Sequence, residues 1–250
     1  MKYLIIANWK CNPATQEAAL TLAKKVEKGV SQRKNIEVAL APPFIYLSAV
    51  GDVLSKIKLG AQDSFWSAGP YTGEVSTEQL KNLGVEYVLV GHSERRNILG
   101  ETPSTVNQKL LSIIKHKMKP VLCVGETERM DGIPETVGDQ LRTSLRGVAA
   151  SALENINIAY EPIWAISTTK GSRADTPDSA HQALLYIRKV LTDLYDRSSA
   201  EKVRIIYGGS VNSDNISSFI ASGMMQGALV GGASLEEEEF LKIIKNTPSV

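Results

Sequence analysis

The chain is short of the features that mark specialised environments. Its only cysteines are Cys11 and Cys123, too few for a disulfide framework, and this fits a reducing compartment. Charge of one sign is also missing. Lys plus Arg (28) nearly cancel Asp plus Glu (27), so no overall field draws the chain to nucleic acid or an anionic membrane. Long apolar runs are absent. The N-terminal run Tyr3–Ala7 is too short for a signal-peptide core, and no stretch approaches membrane-spanning length. These absences make a soluble, cytoplasmic protein the expectation. No linker, low-complexity break or fixed-period repeat divides the sequence, so residues 1–250 read as one domain.

What is present is an alternation. Near-continuous Val/Ile/Leu/Ala runs predict strands at Tyr3–Ala7, Glu37–Leu40, Lys58–Ala61, Tyr87–Val90, Val121–Val124, Ile156–Tyr160, Val203–Tyr207 and Ala228–Val230. Such runs are typical of strands covered on both faces in a parallel sheet. Helical patterns lie between them. Asn12 and Pro13 are expected to open a helix carrying Ala18, Leu22 and Val26, Thr102 and Pro103 a second, and Thr176 and Pro177 a third. Ser234 and Glu237 have the spacing of a capping box. Eight strands alternating with helices predict an α/β fold of one class, a (β/α)8 barrel of parallel strands.

In such a barrel the chemistry belongs at the carboxyl ends of the strands. Glu161 stands at the end of the sixth predicted strand, and Pro162 stops the strand there. With Ile163, Trp164 and Ile166 beside it in sequence, the carboxylate is placed for proton transfer; a structural ion pair is the plainer alternative. Asn8 and Lys10 follow the first strand, and His92-Ser93-Glu94-Arg95-Arg96 the fourth. Gly208-Gly209-Ser210 and Gly231-Gly232 follow the seventh and eighth, where glycines let backbone N–H groups approach an anion. His116 and His181 sit amid polar residues and read as surface. Cys123 reads as a buried packing residue.

Taken in order, Ala7-Asn8-Trp9-Lys10, Gly91-His92-Ser93-Glu94-Arg95-Arg96, Ala159-Tyr160-Glu161-Pro162-Ile163-Trp164-Ala165, Tyr207-Gly208-Gly209-Ser210-Val211 and Leu229-Val230-Gly231-Gly232-Ala233-Ser234 resemble the triosephosphate isomerase family over essentially the whole chain. The resemblance implies a cofactor-free and metal-free interconversion of dihydroxyacetone phosphate and D-glyceraldehyde 3-phosphate. It casts Glu161 as base, His92 as neutral electrophile, Lys10 and Asn8 as donors to the substrate, and Glu94 as partner of Lys10. This family is itself the standard worked case of a carboxylate base beside a neutral imidazole, so those roles are inherited by likeness. Phosphate would be gripped by backbone N–H groups of Ser167, Ser210, Gly231 and Gly232, with Ile166 and Leu229 closing over the base.

The segment Gln62–Ser76, with Thr72-Gly73-Glu74, resembles the family's interdigitating loop. It implies a homodimer in which Thr72 meets the partner's site and Glu74 pairs with Arg95 across the interface. Exposed aromatics at Trp66 and Tyr71 fit that expectation. The sequence departs from the family at the lid, where Ile166-Ser167-Thr168-Thr169-Lys170 lacks two glycines. The following segment Gly171–Asp175 is longer, and Gly171 is expected to supply its flexible position. Asp63 and Gln226 stand where Asn and Asp are commoner. Two other readings stay open, another phosphate-binding barrel enzyme, such as an aldolase-like lyase or an amino-acid-pathway isomerase, and a catalytically silent barrel used as a scaffold. A Schiff-base aldolase wants a lysine inside a strand, and a scaffold does not need Asn8, Lys10, His92 and Glu161 together.

Overall fold

Alternate residues of the first strand serve two different cores. Leu4 and Ile6 point to one side, where they meet Ala39, Ala41, Tyr87, Leu89, Val121, Cys123, Ala159, Ile206 and Leu229. Ile5 and Ala7 point to the other side, into a larger core shared with the helices. The strand period of two thus produces a filled barrel interior and an apolar layer outside it, with every one of these side chains buried. Burying each Leu or Ile contributes about 1.5–3 kcal/mol before the entropy of ordering it.

The computed structural model describes residues 2–30, 34–129, 132–166, 171–221 and 224–248. Its strands are β1 (Tyr3–Asn8), β2 (Ile36–Ala41), β3 (Lys58–Ala61), β4 (Tyr87–Val90), β5 (Lys119–Val124), β6 (Asn157–Tyr160), β7 (Arg204–Tyr207) and β8 (Gly227–Val230). All neighbouring pairs are parallel, and β1 pairs with β8 to close the ring in sequence order. The predicted strands agree with these to within two residues. The closing seam has one stringent position. Gly227 adopts φ 146°, and a Cβ there would collide with the Leu4 carbonyl.

Helices among the described residues are α1 (Gln16–Gly29), α2 (Leu47–Gly51), α3 (Thr77–Asn82), α4 (Ser93–Leu99), α5 (Pro103–Lys115), α6 (Glu135–Ser144), α7 (Pro177–Leu194), α8 (Arg197–Lys202), α9 (Ile216–Phe219) and α10 (Glu237–Asn246). Thr102 and Thr176 cap α5 and α7 as expected, accepting from Thr105 N and Ser179 N. Two expectations are corrected. Helix α1 begins at Gln16 under Thr15, whose hydroxyl accepts from Ala18 N, whereas Asn12-Pro13 lies in the preceding turn. Ser234 makes no capping box, because its hydroxyl donates to Gly231 O (2.6 Å) inside a 3-10 turn, Gly232–Leu235. The surface reading of the histidines is also corrected. Both are half-buried, and His116 Nδ1 lies 2.8 Å from Ser112 O.

Candidate active site

Glu161 follows β6 and is almost wholly buried. Its backbone N–H donates to Val124 O (2.8 Å), which fixes the residue against the end of β5. The carboxylate also has polar partners that its sequence neighbours did not suggest. Oε2 accepts from the Ser93 N–H (2.9 Å), and Oε1 lies 3.0 Å from His92 Nε2. Glycines make this placement sterically possible. A Cβ at Gly208 would sit 2.9 Å from Glu161 Cγ, and one at Gly125 would collide with the Glu161 carbonyl.

His92 is the N-cap of α4, and its Nδ1 accepts from the Glu94 N–H (3.3 Å). An accepting Nδ1 carries no proton, so the hydrogen-bond pattern assigns the neutral tautomer with its proton on Nε2, facing Glu161.

Across the cavity, Lys10 is one of two non-glycine residues with positive φ among the described residues (52°), a conformation that costs about 1–2 kcal/mol. Three contacts hold it there. Its N–H donates to Asn8 Oδ1 (3.0 Å), its carbonyl accepts from Gln62 Nε2 (2.8 Å), and its Nζ meets Glu94 Oε1 (2.6 Å). Asn8 itself is buried at the end of β1.

These residues line one cavity of about 380 Å³ with Ile166, Ser210, Leu229, Gly231 and Gly232. The 3-10 turn Gly232–Leu235 begins at its wall, and the first N–H groups of such a turn are open to an anion. Ser210 Oγ donates to Ala165 O (2.8 Å), which leaves the role expected of Ser210 to its backbone. Gly208 differs from the expectation. Its N–H is spent on Tyr160 O (2.7 Å), so this glycine makes room for Glu161. Ser167, Thr168, Thr169 and Lys170 of the altered lid lie outside the described residues. Gly171, at the lid's far end, adopts φ 76°.

Several residues here carried no signal in the sequence reading. Asp175 lines the cavity and accepts from Tyr207 OH (3.1 Å), tying the long segment after the lid to β7. Glu126 Oε1 accepts from both Tyr160 OH and Trp164 Nε1 (2.8 Å each), and burial pushes its carboxyl above the usual range. Cys123 is fully buried, and burial pushes its thiol well up, so it is a neutral packing group. No group of three or more His, Cys, Asp or Glu among the described residues could hold a metal ion.

The loop side chains expected at an interface present a mixed picture within one chain. Trp66 is half-buried and stacked on Phe65 (3.9 Å between ring centroids), whereas Tyr71 and Thr72 are exposed. Arg95 Nη2 lies 2.8 Å from Asp63 Oδ2, inside a buried cluster that also holds Lys109 and Glu101. Glu74 is exposed.

A buried carboxylate facing a neutral imidazole at the carboxyl rim of a closed β/α barrel defines an acid–base enzyme of the (β/α)8 class. Comparison with known proteins narrows the class. The family model described as Triosephosphate isomerase matches residues 3–247. A triosephosphate isomerase of Caldanaerobacter subterraneus subsp. tengcongensis is 45% identical over 249 residues, covering 96% of this chain and 98% of its own. Those of Thermoanaerobacter pseudethanolicus and Carboxydothermus hydrogenoformans are each 44% identical, with 98% and 99% of their own lengths covered. The chain belongs to the triosephosphate isomerase family.

Proposed function

We propose that this chain interconverts dihydroxyacetone phosphate and D-glyceraldehyde 3-phosphate through an enediolate, as a single barrel domain and without a cofactor. Glu161 takes a proton from C1 of the ketose, and the electron pair forms a C1–C2 double bond while charge gathers on the C2 oxygen. His92 Nε2–H donates to that oxygen, which needs a neutral imidazole, and mediates proton movement between the two oxygens. Glu161 then returns the proton to C2, leaving the aldehyde at C1. Lys10 adds fixed positive charge beside the enediolate and Asn8 a neutral donor, while Glu94 holds Lys10. Phosphate sits on the backbone N–H groups of Ser167, Ser210, Gly231 and Gly232, and Ile166 and Leu229 keep water from the base.

The observation that carries this reading is the Glu161 carboxylate 3.0 Å from His92 Nε2 in the cavity that Lys10 also lines. The carboxylate must leave the Ser93 N–H to reach a substrate carbon, and a bound triose would take its place at His92. A coupled assay in both directions tests the activity. No turnover in either direction by the purified protein would overturn it.

The active particle in this reading is a homodimer in the cytoplasm, with no nucleic-acid or membrane partner. No helix among the described residues is long and apolar enough to cross a membrane. Exposed Ile45, Tyr71, Ile98 and Leu99 support the dimer, because they follow β2, β3 and β4, three consecutive strands of the ring. Thr72 and Glu74 occupy the same edge, and Arg95 on α4 retains partial exposure there.

A further inference from the structure

We propose that Arg96 is a positioning residue for the proton transfer: it fastens the strand end carrying His92 to the strand supporting Glu161, and its fixed charge acts on the Glu161 carboxylate. The proposal rests on Glu161 being the base.

Arg96 lies on α4, one turn past His92. Its Nε donates to Gly91 O (2.7 Å) and its Nη2 to Cys123 O (3.1 Å). Gly91 directly precedes His92. Cys123 directly precedes Val124, whose carbonyl receives the Glu161 N–H. One planar guanidinium therefore spans β4 and β5, with each carbonyl it grips one residue from an atom that sets a reacting group. The fork geometry suits such a span, and a single-point ammonium could serve only part of it. Gly91, at φ 68°, packs directly on the guanidinium, and a Cβ there would displace it.

The charge is as telling as the clamp. A mostly buried guanidinium ordinarily meets a carboxylate. Arg96 makes no ion pair within 4 Å among the described residues. The carboxylates that act on it at longer range are Glu101 and Glu161, and burial pulls its own titration down from the usual guanidinium value. Glu101 is already held by Lys109 and Arg95. Glu161, by contrast, has no Lys or Arg within 4 Å among the described residues, and Arg96 is a cation that acts on it. The other groups around Glu161 do not replace it. His92, at the start of α4, is neutral, Cys123 on β5 is a neutral thiol, and Lys10 after β1 is engaged by Glu94 at 2.6 Å. Gly208 after β7 brings no charge.

The experiment is the pH dependence of kcat and KM in the coupled assay for wild type, Arg96→Lys, Arg96→Gln and Glu161→Gln. Arg96→Gln keeps an amide donor for the two carbonyls but has no charge. It is expected to lower kcat about 10-fold or more, leave KM within about twofold, and move the acid limb of the kcat profile to higher pH. Arg96→Lys is expected to hold the limb at the wild-type position, because it restores the charge. Substrate phosphate titrates identically in every case and cancels in the comparison. Should the glutamine variant not fold, citrulline at position 96 preserves shape and donors without charge and carries the same expectation. An unmoved limb in the neutral variant, or an equal displacement in the lysine variant, overturns the proposal. Glu161→Gln separates this from the underlying reading: if it is inactive while the Arg96→Gln limb stays put, only the role of Arg96 falls. If it stays active, the base assignment itself falls.

Discussion

Gly208 and Glu161 share one space. The missing side chain of the first, at the end of β7, is the room in which the carboxylate stem of the second lies, 2.9 Å from where a Cβ would stand. Gly208→Ala would also bring its Cβ 3.1 Å from Tyr160 O, so the ends of β6 and β7 must give by a few tenths of an ångström while the barrel stays closed. It should push Glu161 off line. A displacement near 1 Å can cost about 10²-fold, so kcat is expected to fall on that scale with an unchanged circular dichroism spectrum. A fully active alanine variant would show that Glu161 has other room.

Glu161→Gln keeps the size of the side chain and can still accept from the Ser93 N–H. It cannot accept a proton from carbon. Stability should stay near wild type, and kcat should drop by about 10²–10⁴. Measured activity above about a tenth of wild type would remove Glu161 from the role of base.

Asp63 gives a pH signature in stability. Burial raises its carboxyl from 3.8 to about 6, against the opposing pull of Lys109 and Arg95. A carboxyl raised in the folded state contributes stability that is full below its unfolded value and is lost as pH rises through about 6. The shift corresponds to at most about 3 kcal/mol. Asp63→Asn cannot titrate. The wild-type stability minus that of Asp63→Asn should therefore decline between about pH 4 and pH 6.5 and level off above. Urea unfolding of both proteins across that range measures the difference, and a flat difference would contradict the burial argument.

Assembly offers a fourth test. Ile45 and Ile98 are about three-quarters exposed in the single chain. Charged replacement of both, Ile45→Asp with Ile98→Asp, costs an isolated subunit little and an interface core much. Sedimentation should show a particle of one chain with kcat well below wild type. Dimers of undiminished affinity would move the interface elsewhere.

The barrel was legible because buried parallel strands are nearly continuous apolar runs, and eight of them recur with helices between. Helix starts were less so. Asn12-Pro13 and Thr15 compete within one turn, and only the bond from Ala18 N to the Thr15 hydroxyl decides for Thr15. Ser234 has the spacing of a cap but donates its hydroxyl backwards to Gly231. Asn8, Lys10, His92 and Glu161, which the fold brings to one cavity, were visible at strand ends. What surrounds them was not, because the contacts of Glu161 come from the start of α4 and from β5, far away in sequence. Arg96, Glu126 and Asp175 look like ordinary loop or helix polarity until the fold brings them against Cys123, Trp164 and Tyr207.

The seam between β1 and β8 bears on how the protein is made. The first strand emerging from the ribosome waits for the last, and until Gly227 reaches Leu4 the nascent sheet has two bare edges, at β1 and β7. Unpaired edges invite pairing with other chains. Lys10 and Gly231, which flank that seam, come together only at closure, so a chain stalled shortly before β8 has neither a sealed ring nor the Gly231–Gly232 wall of the cavity. Synthesis and catalytic competence are in this way completed by the same few residues.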